Sequence, residues 1–181
     1  APDLKNPCFS ILQIRPMSSL EDALAVDISD REIDRALCVS TRTLGNTINT
    51  GMKDILYVKP DTFDPSKTME IAAQIRRLNS QLLKEGRKYL LIGPGRWGSA
   101  DRWLGIPVSW ADICAFGAIV ETAHEKLSAE PSQGSHFFHN VTSMNIGYFS
   151  VLEESSTDFI RWGMLKNHTM PYNKKYLKHV R

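Results

Sequence analysis

The sequence predicts an α/β protein with a mixed, partly parallel sheet flanked by helices in a single compact domain. Two observations lead to this prediction. Residues 54 to 92 read as a strand, a helix and a second strand, and a right-handed crossover between the strands would make them parallel. The 181 residues are 42% hydrophobic and 23% charged, close to the average of globular domains, which is enough for one hydrophobic core.

The N-terminal quarter predicts one strand and an interrupted helix. Residues 9 to 14 (FSILQI) predict a strand that stops at Pro16, because proline supplies no N–H to a ladder. Residues 18 to 40 predict helix in part, with apolar residues at helical spacing on either side of a break at Ser29 and Asp30.

The clearest elements lie in the middle of the chain. Residues 54 to 59 (DILYVK) predict a buried strand, and residues 88 to 92 predict the next one. Between them, Asp64 is placed to cap a helix, Pro65 suits its first turn, and Gly86 is placed to end it. The helix is amphipathic, and its apolar stripe is Ile71, Ile75, Leu78 and Leu82.

Beyond residue 105 the pattern predicts four further elements. Ser109 and Asp112 form a capping-box pattern that opens a short helix. Residues 116 to 122 (FGAIVET) could continue that helix or form a third strand, and we favour the strand. Residues 135 to 144 predict a helix, and residues 146 to 152 another strand.

Charge and cysteine usage limit the compartment and the partners. The net charge of +2, with both signs interspersed, indicates neither a nucleic-acid nor a membrane partner. Cys8, Cys38 and Cys114 are odd in number and far apart, which favours a reducing compartment over a disulfide framework. With no signal-peptide pattern and no apolar run of about 18 residues, the sequence predicts a cytoplasmic protein.

The first candidate site is the glycine turn in YLLIGPGRWGSADRW, residues 89 to 103. Successive N–H groups in such a turn can form a nest for a phosphate or carboxylate, and two arginines add positive charge. The turn matches neither a Walker loop nor a dinucleotide fingerprint. The candidates for binding an anion are Gly93, Gly95, Arg96, Gly98, Ser99 and Arg102. The alternative is a purely structural turn, with Trp97, Trp103 and Trp110 packing a core edge and both arginines paired to surface carboxylates.

The second candidate site lies in PSQGSHFFHN, residues 131 to 140. A helix that opens there brings its N–H groups and polar side chains towards an anion or substrate. The candidates are Gly134, Ser135, His136, His139 and Asn140. Ordinary cap and surface roles are one alternative. Zinc is another, with a third ligand from His124, Glu125 or Cys114, but the spacing does not supply that ligand and no metal site is predicted.

Three stretches resemble a known family. FSILQIRP, residues 9 to 16, resembles the closing strand of the ATP-grasp nucleotide-binding domain of phosphoenolpyruvate synthase and pyruvate phosphate dikinase. The resemblance implies that Gln13 and Arg15 approach the metal and phosphates of ATP. Residues 89 to 107 and 131 to 149 are similar to the region that follows this domain in bacterial phosphoenolpyruvate synthase-like proteins. ATP and Mg²⁺ are thereby implied for a longer parent protein, but not for this chain alone.

The rest of that family's machinery has no counterpart in the sequence, neither the remaining ATP-grasp half nor the phosphohistidine segment nor the pyruvate-binding barrel. We therefore expect residues 1–17 to be the closing strand, 18–170 an α/β module, and 171–181 a basic tail truncated from a longer parent, with too few apolar residues for a core element. The expected function is part of an ATP-dependent phosphotransferase acting towards pyruvate and phosphoenolpyruvate, inactive alone. The remaining parent domains and a small phosphorylated or carboxylate ligand are its partners, and no catalytic residue is assigned. The alternative is a non-catalytic module that senses an anion or holds domains together.

Overall fold

The structure, a computed structural model, describes residues 27–44, 48–127, 146–152 and 154–181. In chain order these hold α1 (Asp30–Arg35), β1 (Cys38–Val39), β2 (Thr43–Leu44), β3 (Asp54–Val58), α2 (Thr68–Lys84), β4 (Tyr89–Pro94), β5 (Arg96–Trp97), β6 (Gly105–Ile106), α3 (Trp110–Ile113), β7 (Phe116–Thr122), β8 (Gly147–Val151), β9 (Phe159–Ile160), β10 (Tyr172–Asn173) and β11 (Leu177–Val180). Single 3₁₀ turns lie at Pro60–Thr62, Pro65–Lys67 and Trp162–Asn167.

Seven strands form one mixed sheet in the order β10-β11-β3-β4-β7-β8-β2. The four central strands β3, β4, β7 and β8 run parallel, and the outer strands join them antiparallel. The predicted α/β class with a partly parallel sheet is therefore confirmed. Two small ribbons complete the strands of the described residues, β1 with β9 and β5 with β6.

The crossover from β3 to β4 follows the sequence prediction closely. Asp64 accepts a hydrogen bond from the N–H of Ser66 at 2.9 Å, so it caps a 3₁₀ turn, and the α-helix begins just after that turn at Thr68. Gly86 ends the segment with φ +65°, a left-handed conformation that glycine adopts without strain. The predicted apolar stripe of α2 is buried throughout.

Both faces of the parallel strands are covered, as such sheets require. On one face, α2 and α3 pack over a core that includes Leu56, Leu91 and Ile119. On the other, the β1–β9 ribbon and the turn Trp162–Asn167 pack over alternate residues of the same strands. No helix among the described residues has the length and apolar character needed to cross a membrane.

Two short helices begin at predicted positions, and the strand favoured for residues 116 to 122 is present. The capping box of Ser109 and Asp112 opens α3, and residues 116 to 122 form the predicted strand. A second capping box, Ser29 with Glu32, opens α1 at the predicted break. This helix ends at Arg35 rather than continuing through Leu37, because the chain turns there into the β1–β9 ribbon.

The prediction that residues 171–181 contribute no core element is wrong. Strand β11 lies inside the sheet between β10 and β3, and Leu177 and Val180 are buried. Apolar residues are few in this segment because one inward position holds His179, whose Nε2 lies 2.7 Å from Asp54 Oδ1. A buried polar pair thus replaces the apolar residue that the sequence pattern requires.

Several predicted elements lie outside the described residues. These are the strand at 9–14, the first part of the helix at 18–40 and the helix at 135–144. The strand predicted at 146–152 is present as β8.

Candidate functional site

The glycine turn follows β4 at the carboxyl end of the parallel strands. Gly93 and Pro94 still belong to β4, and the chain then turns at Gly95, with φ +67°, and again at Gly98, with φ +80°. The turn folds Trp97 back over β4, where a Cβ at position 93 would lie 2.5 Å from the indole ring. Gly93 therefore allows close packing of the turn on its own strand, while Gly95 and Gly98 allow the two turns of the backbone.

The N–H groups of the turn are already used. All four from residue 95 to residue 98 donate hydrogen bonds within the chain. Three reach backbone carbonyl oxygens at 2.8 to 2.9 Å. The fourth, from Trp97, reaches Glu121 Oε1 at 3.1 Å. A nest needs N–H groups directed at its guest, and here the carboxylate that the turn binds is the protein's own.

Glu121 lies near the end of β7 with 1% of its surface exposed. Its Oε2 accepts a hydrogen bond from the Tyr148 hydroxyl at 2.5 Å, while Oε1 accepts the N–H of Trp97. The Trp97 ring also donates to Val120 O at 3.3 Å. These bonds tie the turn to β7 and β8. They are the reason that Trp97 is buried, whereas Trp103 is 57% exposed.

The other predicted residues of the turn differ in exposure. Arg96 is half-buried, and Arg102 is exposed on the following bend. The Ser99 hydroxyl donates to Asp101 O at 3.1 Å and so shapes that bend. The remaining candidates lie outside the described residues: Gln13, Arg15, Gly134, Ser135, His136, His139 and Asn140. The second predicted segment, residues 131–140, thus lies wholly outside the described residues, and its part in the site stays a prediction.

A cleft of about 190 Å³ opens beside the turn, where β4, β7 and β8 end. This is the edge at which open α/β sheets place their ligands. Its walls come from the turn, from the ends of β7 and β8, and from the residue before β2. The lining residues are Arg42, Gly95, Thr122, Ala123, His124, Leu127 and Leu152. Of these, only Gly95 was predicted as a binding residue.

Two polar side chains of the cleft have unused hydrogen-bonding capacity. Neither the Arg42 guanidinium nor the Thr122 hydroxyl contacts a hydrogen-bond or ion-pair partner within the described ranges 27–44, 48–127, 146–152 and 154–181. The backbone of Arg42 is nevertheless fixed, because its carbonyl oxygen accepts the N–H of Ser150 at 3.0 Å and its N–H donates to Ser40 Oγ at 3.0 Å. The cleft thus presents one cation and one hydroxyl.

His124 forms a wall of the cleft with both ring nitrogens engaged. Its Nδ1 accepts the N–H of Lys126 at 3.1 Å, so Nε2 carries the proton and donates to Pro60 O at 3.2 Å. The ring also meets Phe63 edge-on, with centroids 4.8 Å apart. This neutral, fixed imidazole is not placed to accept a proton from a ligand without breaking a hydrogen bond.

The structure contains no group of three metal-ligating side chains within its described ranges. Of the three residues considered as a third zinc ligand, His124 is engaged as above, and the exposed Cys114 lies 3.6 Å from the Asn79 amide. The histidines at 136 and 139 lie outside those ranges.

No sequence signal identified Arg42, which belongs to no motif. Thr122 and His124 could have been found by a positional rule, because they end and follow a predicted parallel strand, where ligands bind. The composition of the glycine turn made it a candidate from the sequence. The cleft is instead defined by which strand ends are neighbours in the sheet, which the sequence does not show.

The fold and the cleft define an α/β protein with a small polar site at the carboxyl ends of its parallel strands. No family model matches this chain, and no curated protein or solved structure matches it either.

The two described cysteines differ sharply in environment. Burial, and then the nearby charge of Asp158, raise the pKa of the Cys38 thiol to about 12, whereas Cys114 is exposed. Because the thiolate is the nucleophile, we expect Cys38 to react with iodoacetamide at pH 8 about a thousandfold more slowly than an ordinary thiol. Peptide mass spectrometry after timed alkylation should find Cys114 modified first. Equal rates in the folded protein would contradict this, and equal rates in urea are the control.

Proposed function

We propose that this chain binds a small phosphorylated or carboxylate ligand in the cleft at the ends of β4, β7 and β8. The observation that carries the proposal is that Arg42 and Thr122 both line this cleft and that neither side chain has a partner among the described residues. A volume of about 190 Å³ is below the usual range for drug-sized ligands, which favours a ligand of few atoms.

The chemistry of the two donors fits an oxyanion. A guanidinium presents parallel N–H groups that match two oxygens of a phosphate or carboxylate, and such charge-assisted bonds are the stronger ones. The Thr122 hydroxyl can donate to a third oxygen. Leu127 and Leu152 contribute apolar side chains to the lining.

We further propose, on the resemblance of residues 9–16, 89–107 and 131–149, that the cleft serves an ATP-dependent phosphotransferase similar to phosphoenolpyruvate synthase. In that case ATP and Mg²⁺ bind with the other domains of the parent, towards Gln13 and Arg15, and this chain alone is inactive. The arginine would then neutralise charge on phosphoryl or carboxylate oxygens, the main task of protein groups in such transfers.

One observation favours a second function, a non-catalytic module that senses an anion. The single imidazole of the cleft, His124, has both nitrogens in hydrogen bonds, and Glu121 next to the cleft is held by Trp97 and Tyr148. Neither is placed as a general base. Binding without chemistry is what these residues support by themselves.

Replacing Arg42 with glutamine tests the binding site. Backbone amide NMR should show saturable shifts at Gly95 and at residues 122–124 when inorganic phosphate or pyruvate is added. We expect the dissociation constant to rise about ten- to a hundredfold in Arg42→Gln, the value of one charge-assisted hydrogen bond. Arg31→Gln is the control, because Arg31 is exposed on α1 and does not line the cleft. Equal affinity in Arg42→Gln and wild type would refute the site.

Turnover by the intact parent protein separates the two functions. If the cleft takes part in phosphoryl transfer, Arg42→Gln should lower kcat/KM for the anionic substrate. If the module senses an anion, basal turnover should be unchanged and only the response to added phosphate should disappear. This chain incubated alone with ATP, Mg²⁺ and pyruvate should release no product, and product formation would contradict its proposed dependence on the other domains.

A further inference from the structure

Two lysines lie side by side where β3 and β11 pair. Lys178 is opposite Tyr57 in the antiparallel register. Lys59 follows β3 in an extended conformation, and its N–H donates to Tyr176 O at 2.8 Å, so the pairing continues one residue beyond the strand. Because side chains alternate along a strand, Tyr57, Lys59 and Lys178 lie on one face of the sheet. The two lysines occupy diagonal positions, with Cα atoms about 7–8 Å apart, so their long side chains can reach each other.

The charges of this pair are not neutralised within the described part of the chain. Both lysines are half-buried, and no described carboxylate lies within 4.0 Å of either ammonium group. Burial, and then the charge of Lys178, lower the pKa of Lys59. The C-terminal segment supplies no countercharge, because residues 161–181 contain six lysines and arginines and no aspartate or glutamate.

An aromatic surface adjoins the pair. The Lys178 ammonium lies 5.9 Å from the centroid of the Tyr57 ring, and the Tyr57 and Trp162 rings lie 5.6 Å apart. Tyr57 is buried, whereas Trp162 is half-buried. Trp162 is thus connected to Lys178 through the Tyr57 ring.

We propose that Lys59 and Lys178 bind the phosphoryl group of a small molecule whose planar body packs against Trp162. A phosphoryl dianion supplies the countercharge that the described part of the chain does not provide here, and two ammonium groups can donate to separate oxygens. Neither lysine lines the cleft of Arg42 and Thr122, so this is a second site.

The test compares phenyl phosphate with inorganic phosphate, using backbone amide NMR of the whole chain. In the wild type we expect both ligands to shift the amides of residues 57–59 and 177–179, with phenyl phosphate binding at least threefold more tightly. Lys59→Met and Lys178→Met keep most of each side-chain stem and should each weaken binding of phenyl phosphate at least tenfold. Lys53→Met, an exposed lysine before the other end of β3, is the matched control and should stay within twofold of wild type.

Melting temperatures show whether a variant loses binding only because it is unfolded. Each lysine variant should melt at or above the wild-type temperature without ligand, because removing one charge relieves the repulsion. Wild-type affinity in Lys59→Met or Lys178→Met, or an equal loss in Lys53→Met, would overturn the site. Equal affinities of the two phosphates in the wild type would overturn the contact with Trp162. Arg42→Gln should leave these shifts unchanged, so the failure of one site is distinguishable from the failure of the other.

Discussion

The variant Asp54→Ala is expected to lose about 3–5 kcal/mol of unfolding free energy, the cost of breaking a buried ion pair from one side. The Asp54 side chain is 1% exposed at the start of β3. It accepts bonds from Arg87 at 2.5 to 2.9 Å and lies 2.7 Å from His179 Nε2. Removing it leaves the buried His179 imidazole without this acceptor, and leaves Arg87, which is 20% exposed, with its longer ion pair to Glu85 at 3.6 Å. Urea unfolding followed by circular dichroism measures the loss.

Asp61→Ala is the control for this variant, because Asp61 is exposed on the turn after β3. It should change the free energy of unfolding by no more than about 0.5 kcal/mol. A loss below 1 kcal/mol in Asp54→Ala would show that Arg87 and His179 find other partners, and would contradict the central role assigned to this carboxylate.

Acid should remove the same stabilisation in the wild type. Burial alone would raise the pKa of Asp54, but hydrogen bonds and charges from Arg87 and His179 outweigh it and leave the pKa lowered. A carboxylate with a lowered pKa in the folded state stabilises fully above its ordinary value, about 3.9, and loses that contribution as pH falls further. The difference between wild type and Asp54→Ala should therefore be constant above about pH 5 and shrink below pH 4.

The second large effect is expected for Glu121→Ala, at about 2–6 kcal/mol. The substitution leaves the N–H of Trp97 and the hydroxyl of Tyr148 without their buried acceptor, and each such orphaned group costs about 1–3 kcal/mol. The glycine turn should detach from β7 and β8 first, because Trp97 joins them. Urea unfolding gives the free energy, and the near-ultraviolet circular dichroism of the tryptophans reports the local change.

Two further variants sharpen this prediction. Glu121→Gln keeps the shape and one acceptor oxygen but turns an N–H₂ towards a donor, so its loss should fall between wild type and Glu121→Ala. Glu125→Ala, exposed on the loop after β7, is the control and should stay within about 0.5 kcal/mol of wild type. If Glu121→Ala were no less stable than Glu125→Ala, the carboxylate would not be what holds the turn.

The composition of the glycine turn predicted an anion site, and the structure shows which acceptors its N–H groups contact. A turn with positive φ at Gly95 and Gly98 presents its N–H groups inwards, the property from which a nest was predicted. A carboxylate on the neighbouring strand and three backbone carbonyl oxygens occupy those groups. The acceptors of these N–H groups lie elsewhere in the chain, and Glu121 of β7 lies 24 residues beyond Trp97. Binding of a separate anion by this turn stays a prediction.

Local signals were sufficient wherever an element is decided by its own residues. The stripe of α2, the stop at Gly86 and the capping box before α3 each act within a few residues, and all three appear in the structure. The parallel pairing of β3 with β4 followed from the handedness of crossovers. The prediction failed at β11, since a strand between two neighbours is held by pairing and a buried hydrogen bond rather than by its own apolar content.

The sequence by itself therefore determined the α/β class and the central strands and helix, because hydrophobic periodicity and helix caps are local properties. The position of the candidate site and the residues that line it depend on the tertiary structure. Arg42 reaches the cleft because β2 pairs with β8, and Thr122 because β7 lies between β4 and β8. Such a site depends on contacts between residues far apart in the chain, and its chemistry is set by which donors those contacts leave unused.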